Sequence, residues 1–314
     1  MRIGVDAMGG DFAPEAVVKG ALLAKKEFLA AEQIVLFGIK DQIVEQLAKQ
    51  NANVNDFEIV HCTEVIGMGD HPAKAFSKKQ DSSITVGFKW LAQNKIDGFA
   101  SAGNTGAMLV GTMHMVKSIS GIIRPAIAGY IPVLNDDKFN LLLDVGINPD
   151  CRPDVLYQYG ILGSLYAKFV FNIENPRVGL LNIGEEEEKG NLVTKSTFEL
   201  MKDNTDFNFA GNVEGNMLFS NDKADVIVCD GFVGNVILKE AEAFYHILKK
   251  RKITDPFFER FNFENYGGTP IIGVNAPVII GHGVSNDKAI MNMILQTGTV
   301  ISTNLCNRIK EAFS

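Results

Sequence analysis

The sequence predicts an α/β protein with a doubly wound, mostly parallel sheet. Short apolar runs rich in Val and Ile alternate with longer segments of helical period along the 314 residues. Strands that are separated by helices form parallel sheets through right-handed crossover connections. In addition, the junctions where strands lead into helices are unusually rich in Gly and Asn. Together these features favour a sheet covered by helices, with polar loops along one edge.

The first strand is predicted at residues 2–6, directly after Met1. A helix follows from about Ala13, with Pro14 suited to its first turn and small apolar residues along one face. The further strands are predicted at 33–38, 57–61, 98–101, 126–133, 140–144, 177–182, 207–211, 226–230 and 278–281. The further helices are predicted at 41–50, 83–93, 105–118, 153–171, 192–202, 235–250 and 287–311.

The domain organisation is predicted to be simple. The strand-like runs 126–133 and 140–144 are separated only by a turn, so we expect one antiparallel stretch in the sheet. There is no repeat of fixed period, no low-complexity segment and no Pro-, Gly- or Ser-rich linker. The sequence therefore predicts a single domain over residues 1–314, a pattern that is also compatible with two lobes around a cleft.

Charge and cysteine content exclude several classes of protein. Lys plus Arg number 30 against 37 Asp plus Glu, a formal net charge of -7. No global field therefore favours nucleic acid, and a polyanionic partner needs a local basic patch. The four cysteines, Cys62, Cys151, Cys229 and Cys306, form no C-x-x-C pair, which fits a reducing cytosol better than disulfides or zinc. With no leader sequence and no apolar run approaching about 18 residues, we expect a cytoplasmic protein, at most docked on a membrane.

Six junctions share the Gly- and Asn-rich composition, at 5–11, 101–106, 182–191, 211–215, 229–235 and 281–286. Ligands of open α/β sheets bind beyond the carboxyl ends of the strands, where the chain turns into a helix. Gly allows the backbone to approach a ligand closely, and a helix N-terminus adds free N–H groups and the positive end of its dipole. We therefore expect these junctions to hold a phosphate or a developing oxyanion. Tight turns alone would explain one such junction but not six.

Several common catalytic signatures are absent. The sequence has no G-x-x-x-x-G-K-[ST], no G-x-G-x-x-G after the first strand, and no G-x-S-x-G. Of the five histidines, only His282 lies in a Gly-rich junction, and no pair has metal-ligand spacing. We expect no metal and no cofactor. An enzyme of this kind brings its nucleophile in as a substrate, and inorganic phosphate fits the loops.

Motifs along the whole chain resemble one known family. They are VDAMGGD at 5–11, DSSI at 81–84, SAGNTGA at 101–107, RPA at 124–126, GLLNIGEE at 179–186, GNVEG at 211–215, CDGFVGN at 229–235 and YGG at 266–268. The sequence is similar to the bacterial phosphate acyltransferases of phospholipid synthesis, the PlsX family. The resemblance implies conversion of acyl-[acyl-carrier-protein] and inorganic phosphate into acyl phosphate and free carrier protein. A membrane acyltransferase would then use the product to acylate glycerol 3-phosphate.

The resemblance also implies a homodimer and a fold related to the phosphotransacetylase and isocitrate dehydrogenase group. In the mechanism that we expect, bound phosphate attacks the thioester carbonyl, and N–H groups and Asn amides stabilise the tetrahedral oxyanion. The groups expected to bind the phosphate and the oxyanion are Gly103, Asn104, Thr105, Gly106, Gly234 and Asn235.

The leaving thiolate needs charge stabilisation or a proton, for which Lys189 and His282 are the candidates. Lys189 follows the acidic run 185–188, and the alternative is a solvated charge cluster. The alternative for His282 is a hydrogen bond within a turn. Asp6 and Asp230 end predicted strands and are expected to orient Asn or Lys groups or to act as a base.

A basic run is predicted to dock the acidic carrier protein, since an acidic enzyme needs a local positive patch for such a partner. The run consists of Lys249, Lys250, Arg251 and Lys252. Cations at a helix C-terminus are favourable in any helix, and the Phe residues that follow are more often core or dimer contacts than an acyl slot. Segment 236–265 is shorter than in the family that the sequence resembles. Peripheral membrane contact is therefore either absent or carried by Phe257 and Phe258.

Three other functions compete with this interpretation. The nearest is a phosphotransacetylase-type enzyme that uses a coenzyme A thioester, because the same loops serve either donor. An NAD-dependent decarboxylating dehydrogenase would need a metal-binding Asp cluster and Arg residues for a dicarboxylate, and neither is evident. A binding module without activity would not require so many polar groups at strand ends.

Overall fold

The predicted alternation of strands and helices is present throughout residues 1–28, 32–134 and 137–314, which the computed structural model describes. The strands are β1 (Arg2–Asp6), β2 (Gln33–Gly38), β3 (Glu58–His61), β4 (Gly98–Ser101), β5 (Ala126–Pro132), β6 (Phe139–Leu143), β7 (Arg177–Asn182), β8 (Asn208–Glu214), β9 (Val226–Val228), β10 (Gly268–Ile272) and β11 (Val278–Gly281). The helices are α1 (Glu15–Glu27), α2 (Lys40–Lys49), α3 (Pro72–Lys78), α4 (Ser83–Ala92), α5 (Thr105–Gly111), α6 (Pro153–Phe169), α7 (Leu192–Lys202), α8 (Gly231–Lys250), α9 (Pro256–Glu259), α10 (Asp287–Ser302) and α11 (Leu305–Ala312).

The chain divides into two compact units. Unit 1 comprises Met1–Lys117 and Phe263–Asn304, and unit 2 comprises Ser118–Asn262 and Leu305–Ser314. Each unit combines strands and helices and has its own buried apolar side chains. That residues 1–314 behave as a single domain stays a prediction.

The sheet of unit 1 reverses its winding direction beside its first strand. Its strand order is β3-β2-β1-β4-β11-β10, and all neighbours are parallel except β10 and β11. From β1 the chain adds β2 and β3 on one side and then places β4 on the other. Such a reversal creates a ligand-binding crevice beyond the carboxyl ends of the two strands that flank it. The crevice of unit 1 is therefore expected between the ends of β1 and β4.

Aromatic rings fill the core between the sheet and α4. The ring of Phe37 lies 5.4 Å from that of Trp90 and 5.9 Å from that of Phe99, edge-on in both cases. On the other side of β1, the small residues of α1 allow α10 to pack closely. A Cβ on Gly20 would lie 2.6 Å from Cβ of Ile290. The small-residue face predicted for the first helix is thus buried against another helix.

The sheet of unit 2 has the order β5-β6-β9-β7-β8. Its first two strands, β5 and β6, are antiparallel, which confirms the antiparallel stretch predicted from the short turn between them. Residues 135 and 136 of that turn lie outside the described residues. The other neighbours are parallel, so the fold is the predicted α/β class with a mostly parallel sheet.

Two predicted helices are shorter than expected. The helix predicted at 105–118 ends at Gly111, and Thr112–Val116 form a wider π-helical turn that ends at Lys117 with φ 65°. The Thr112 hydroxyl donates to the Met108 carbonyl at 2.8 Å, a type of bond that often bends helices. The helix predicted at 287–311 is interrupted at Asn304, which has φ 54°, a conformation that Asn tolerates. The apolar period of the sequence continues across both breaks, so it predicted one continuous helix at each place.

Other differences concern the Gly-rich motifs. The predicted loop 211–215 lies largely in strand β8, which continues to Glu214, and β10 at the YGG motif was not predicted. Glycine and Pro270 mask the strand signal of β10, and its pairing with β11 compensates for them. Helix α8 begins at Gly231 rather than at residue 235, because Asp230 caps it.

Candidate functional site

Two Gly-rich loops of unit 1 touch beyond the ends of β1 and β4, and a third adjoins them. A Cβ on Gly9 would lie 2.4 Å from Oδ2 of Asp6 and 2.7 Å from the nitrogen of Gly103, so only glycine fits at residue 9. The Asp11 N–H donates to the Gly283 carbonyl, in the loop after β11, at 2.7 Å. Three of the six predicted junctions therefore come together at the crevice of unit 1.

Asp6 lies next to the contact between Gly9 and Gly103 and is 1% exposed. Its Oδ2 accepts from Oγ of Ser101 at 2.6 Å, and its Oδ1 accepts from the Met8 N–H at 3.0 Å. Burial raises the pKa of Asp6 above its ordinary value, while hydrogen bonds from Ser101, Ser83 and the Met8 N–H act to lower the same pKa. The carboxyl group is thus placed to hold two loops in position through Ser101 and Met8, whereas the sequence suggested that it orients Asn or Lys groups or acts as a base.

Backbone N–H groups at the same edge lack acceptors. Within residues 1–28, 32–134 and 137–314, the N–H groups of Gly9, Gly10, Thr105 and Gly106 have no hydrogen-bond partner. Thr105 is the first residue of α5, so its N–H and that of Gly106 also lie at the positive end of the helix dipole. Clusters of unpaired backbone N–H groups bind anions.

Both polar atoms of the Asn104 side chain form hydrogen bonds with other groups of the protein. Its Oδ1 accepts from the Ala107 N–H at 2.9 Å and caps α5, and its Nδ2 donates to the carbonyls of Gly67 and Asp70, each at 3.0 Å. The amide, which was expected to contact the anion, instead ties the loop at 67–70 to the helix start. The donors left for an anion at this junction are backbone N–H groups.

His282 begins the loop after β11 and is half-buried. Its ring packs on that of Phe263, with centroids 4.9 Å apart and planes inclined by 34°. The His282 carbonyl accepts from the Ser285 N–H at 3.0 Å and closes a tight turn. His282 therefore adjoins Gly283, the residue that contacts the loop after β1.

Unit 2 contains a buried carboxylate that the sequence interpretation missed. Asp144 follows β6 and is 0% exposed. Its Oδ2 accepts from the Asn148 N–H at 2.7 Å, and its Oδ1 accepts from the Ile127 N–H at 2.9 Å. Asp144 ends the predicted strand 140–144 in the same way as Asp6 and Asp230 end theirs, so the strand-end position was the signal that could have identified it.

The start of α8 packs directly on this loop. A Cβ on Gly234 would lie 2.0 Å from the carbonyl oxygen of Asp144, so the helix approaches as closely as a glycine permits. The amide of Asn235 donates to the Val145 carbonyl at 3.2 Å. Gly234 and Asn235, predicted as phosphate-binding residues, thus lie inside the first turns of α8 and hold them against residues 144 and 145. Asp230 caps the helix, its Oδ1 accepting from the Val233 N–H at 2.8 Å.

The loop between β7 and α7 is fixed at its base by an amide pair. Nδ2 of Asn182 donates to Oδ1 of Asn212 at 3.0 Å and to the Lys189 carbonyl at 3.2 Å, and Nδ2 of Asn212 donates to the Glu186 carbonyl at 2.9 Å. Asn212 is 0% exposed. A Cβ on Gly184 would lie 2.7 Å from Cγ of Lys189, so the Lys189 stem packs on this glycine.

The ammonium group of Lys189 has no ion-pair or hydrogen-bond partner in the part of the chain that the structure describes. Two neighbouring lysines differ, since Lys223 pairs with Glu185 and Lys202 pairs with Glu187 at 2.7 Å. Lys189 is exposed. A cation that is held by its stem and left unpaired is available to an anionic ligand.

The thiols are unsuited to act as nucleophiles. Burial raises the pKa of Cys62 to about 12 and the pKa of Cys151 to about 11. Burial raises the pKa of Cys306 to about 11, and burial with the nearby Asp230 and Asp144 carboxylates raises that of Cys229. The thiolate is the reactive form, so a raised pKa leaves these side chains protonated and inert at neutral pH.

The basic run lies at the exposed C-terminal end of α8. Lys249 and Lys250 form its last turn, Arg251 caps it, and Lys252 follows with φ 56°. The phenylalanines that follow pack mainly on one another. The rings of Phe257 and Phe261 are 5.3 Å apart.

The structure distributes the predicted site residues between the two units. Unit 1 contains Asp6, Gly103, Asn104, Thr105, Gly106 and His282, and unit 2 contains Lys189, Asp230, Gly234, Asn235, Lys249, Lys250, Arg251 and Lys252. Among the described residues, no group of three or more His, Cys, Asp and Glu side chains is arranged to hold a metal ion. None of the described helices combines the length and apolar character that crossing a membrane requires.

The fold and the strand-end loops define an α/β protein of the architecture found in phosphotransacetylases. A phosphotransacetylase from Streptococcus pyogenes superposes with a TM-score of 0.66 at 17% identity, covering 96% of this chain and 94% of that one. A 4-hydroxythreonine-4-phosphate dehydrogenase from Klebsiella pneumoniae superposes with a TM-score of 0.57 at 13% identity, covering 96% of this chain and 99% of the other. At these identities the likeness concerns the fold.

Sequence comparison identifies the family. A model described as "Fatty acid synthesis protein" matches residues 1–253 and 245–308. The phosphate acyltransferase of Dictyoglomus turgidum is 41% identical over 333 residues, covering 100% of this chain and 98% of that protein. The phosphate acyltransferase of Endomicrobium trichonymphae is 42% identical over 335 residues, covering 99% of this chain and 97% of that protein. The chain therefore belongs to the phosphate acyltransferase family, and it is an acyltransferase.

The family match is divided at residues 245–253, at the end of α8. This division falls within segment 236–265, which the resemblance predicts to be shorter than in the family. The resemblance to phosphate acyltransferases that the motifs indicated is confirmed by the comparison over the full chain.

The raised pKa of Asp6 predicts how stability depends on pH. The folded protein binds this proton more tightly than the unfolded chain, so stability falls as pH rises from the ordinary value of 3.8 through the folded-state pKa. The Asn side chain of the Asp6→Asn variant cannot ionise, so this variant does not lose stability in that pH range. Urea unfolding from pH 4 to pH 8 should show the variant gaining stability relative to wild type, by at most about 1.4 kcal/mol per pH unit, before levelling off.

Asp81→Asn is the matched control of opposite sign. Hydrogen bonds from the Thr63 side chain and N–H lower the pKa of Asp81. Its contribution to stability is therefore present above the ordinary value of 3.8 and lost as pH falls through the folded-state pKa. The difference between this variant and wild type should change below about pH 4 and stay constant above it. A pH-independent difference for Asp6→Asn would contradict the assigned environment.

Proposed function

We propose that this acyltransferase transfers a fatty acyl group from acyl-[acyl-carrier-protein] to inorganic phosphate. A phosphate oxygen forms a bond to the thioester carbonyl carbon, the carbon–sulfur bond breaks, and the products are acyl phosphate and the free carrier thiol. The observation that carries the proposal is the set of N–H groups of Gly9, Gly10, Thr105 and Gly106 at the crevice of unit 1, which have no partner among the described residues. The names of the relatives and the protonated thiols support the same conclusion.

The N–H cluster is proposed to bind phosphate and the oxyanion that develops in the transition state. Preorganised N–H donors stabilise such charge strongly, and removing one typically costs about 10²–10³ in kcat. Phosphate is already a nucleophile, so the protein contributes mainly position and orientation. Asp6 is proposed to hold the donor loops through Ser101 and Met8, and to act as a positioning residue rather than a base.

Gly234, Asn235 and Asp230 are proposed to fix the start of α8 against the buried Asp144. Gly234 permits the close approach, Asn235 binds the Val145 carbonyl, and Asp230 caps the helix. His282 and Lys189 stay the candidates for a proton or a positive charge at the departing thiolate. Lys189 is the stronger of the two because its ammonium is unpaired among the described residues.

The basic run is proposed as the docking point of the carrier protein. Lys249, Lys250, Arg251 and Lys252 form an exposed positive cluster on a chain whose formal net charge is -7. Complementary charges raise association rates and are screened by salt. The product acyl phosphate is proposed to serve a membrane acyltransferase that acylates glycerol 3-phosphate and so leads to phosphatidic acid.

Homodimerisation and a cytoplasmic, membrane-peripheral location belong to the same proposal. Of the 20 residues of α8, only Gly231, Gly234, Ala241 and Tyr245 are buried, and Phe244 and Ile247 are exposed. Such a helix is suited to bury its apolar side chains against a second copy.

Ile253 and Phe258 are exposed beside the basic run and suit an anionic membrane surface. Sedimentation and vesicle flotation measure these two associations.

The identity of the acyl donor is tested by trapping the product acyl phosphate with hydroxylamine. Wild type should release thiol from acyl-[acyl-carrier-protein] only when phosphate is present, and should use acyl-coenzyme A less efficiently. The triple variant Lys250→Gln, Arg251→Gln, Lys252→Gln should raise KM for the carrier-bound donor about 10-fold at low salt without changing KM for the coenzyme A donor. Lys249 is retained because its ammonium lies 5.7 Å from the Tyr245 ring centroid.

The two donors act as each other's control in this experiment. Faster turnover of acyl-coenzyme A would favour the phosphotransacetylase-type alternative. Thiol release that is independent of phosphate would overturn the proposed reaction altogether.

Lys189→Ala should lower kcat by about 10²-fold, the usual effect of removing one charge-stabilising group from a transition state. Its melting temperature should match that of wild type, because the side chain is exposed and unpaired in the described structure. Lys223→Ala is the matched control, since this lysine pairs with Glu185 on the same loop. Near-normal turnover by Lys189→Ala, or an equal loss in both variants, would remove Lys189 from the mechanism.

A further inference from the structure

The loop at 67–70, which is tied to Asn104 at the start of α5, carries one large apolar side chain that is exposed. Oδ2 of Asp70 accepts from the Gly67 N–H at 2.8 Å and from Nζ of Lys79 at 2.7 Å, and Asn104 donates to the Met68 carbonyl at 3.3 Å. The backbone of the loop is therefore fixed on both sides. The Met68 side chain is 47% exposed.

Met68 extends over the loop that follows β11. A Cβ on Gly283 would lie 2.7 Å from Cε of Met68, so the thioether chain covers this glycine. The Gly283 carbonyl in turn accepts from the Asp11 N–H at 2.7 Å, next to Gly10. Gly283 is thus contacted both by Met68 and by the loop that carries the Gly9 and Gly10 N–H groups, which are unpaired among the described residues.

Exposed apolar side chains of unit 1 are concentrated at this place. Among the described residues of unit 1, the large hydrophobic side chains that are substantially exposed are Phe12 at 55%, Met68 at 47%, Met113 at 45% and Val284 at 48%. All of them except Met113 lie on the loops that meet at Gly283, because Phe12 follows Asp11 and Val284 follows Gly283. Unrelated surface residues would not be expected to gather on the loops around one glycine.

A fatty acyl thioester has two chemically distinct parts. Its carbonyl needs hydrogen-bond donors as negative charge develops on the oxygen, and its hydrocarbon chain gains free energy when it is removed from water. The crevice of unit 1 offers N–H donors that are unpaired among the described residues, and the loops that meet at Gly283 carry an apolar rim, the exposed side chains of Phe12, Met68 and Val284. A methionine side chain is flexible and polarisable, so it adapts to a hydrocarbon chain of variable conformation.

We propose that the hydrocarbon chain of the acyl donor packs on Met68, and that Met68 determines the preference among acyl-chain lengths. The inference rests on the proposed function and specifies the part of the site that recognises the substrate. Phe12 and Val284 complete the apolar rim, and the reacting carbonyl lies toward the N–H groups of Gly9 and Gly10.

The first measurement is independent of turnover. A non-cleavable thioether analogue, S-hexadecyl pantetheine, is titrated into wild type and variants by calorimetry. Met68→Ala should weaken its binding about 10-fold, as expected when the contact of a few methylene groups is lost, whereas Met68→Leu should bind within about 2-fold of wild type. Met113→Ala is the matched control, because that methionine is 45% exposed in the same unit but lies in the π-helical turn.

The second measurement compares donors with 4, 8, 12 and 16 carbons on whichever carrier wild type accepts. Met68→Ala should lose kcat/KM progressively with chain length, by about 10-fold at 16 carbons and by little at 4, while KM for phosphate is unchanged. An equal effect at all lengths, or no effect, would overturn the role of Met68 and leave the acyl transfer standing. Analogue binding that depends on Met68, without any acyl phosphate formed by wild type, would overturn the acyl transfer and leave the apolar contact standing.

Discussion

No side chain fits at residue 9, and the site of unit 1 depends on that constraint. A Cβ there would meet the Asp6 carboxylate, the Ser101 hydroxyl and the Gly103 nitrogen, all within 2.8 Å. The absence of a side chain lets the loop after β1 lie directly on the loop after β4. The buried carboxyl group of Asp6 is then reached by donors from both strand ends. The result is two adjoining loops that are held by one carboxyl group and whose N–H groups at Gly9, Gly10, Thr105 and Gly106 are unpaired among the described residues.

Unit 2 has the same combination of a buried aspartate and a closely packed glycine at the ends of β6 and β9. Gly234 of α8 lies against the Asp144 carbonyl, and the Asp144 carboxylate accepts N–H groups from its own loop. In each unit a buried aspartate at a strand end organises the turn, and one glycine, Gly9 in unit 1 and Gly234 in unit 2, permits a close backbone contact beside it. Neither aspartate is free to act as an exposed acid or base, since their exposed fractions are 1% and 0%. The chemistry proposed for these sites therefore relies on fixed backbone dipoles rather than on either carboxyl group.

The sequence predicted the fold class well, because alternating apolar runs and helical periods are set by local burial. Strands 2–6, 33–38, 98–101, 177–182 and 278–281 have the predicted boundaries. Breaks caused by one residue, such as the positive φ at Asn304, were missed because the apolar period continues across them. Strand β10 was missed because its Gly and Pro residues have low strand propensity, and pairing with β11 overrides that propensity.

The candidate site was only partly predictable. Gly-rich junctions identified the loops after β1, β4 and β11, but not what each side chain does there. Asn104 was expected to contact an anion, yet its amide is used by the carbonyls at residues 67, 68 and 70, partners more than thirty residues away in sequence. Met68 carries no motif of its own, and Asp144 carries only the strand-end position that it shares with Asp6 and Asp230. Their roles depend on close approaches to Gly234 and Gly283, which only the folded chain creates.

The central claim is that an anion binds to backbone N–H groups at the ends of β1 and β4. Its most direct test is a titration of the ¹⁵N-labelled protein with inorganic phosphate, followed by amide chemical shifts at constant ionic strength and pH. The account predicts saturable shifts of the Gly9, Gly10, Thr105 and Gly106 amides with one common dissociation constant, and no such shifts with chloride. Unchanged signals from these four amides at phosphate concentrations that saturate turnover would contradict it.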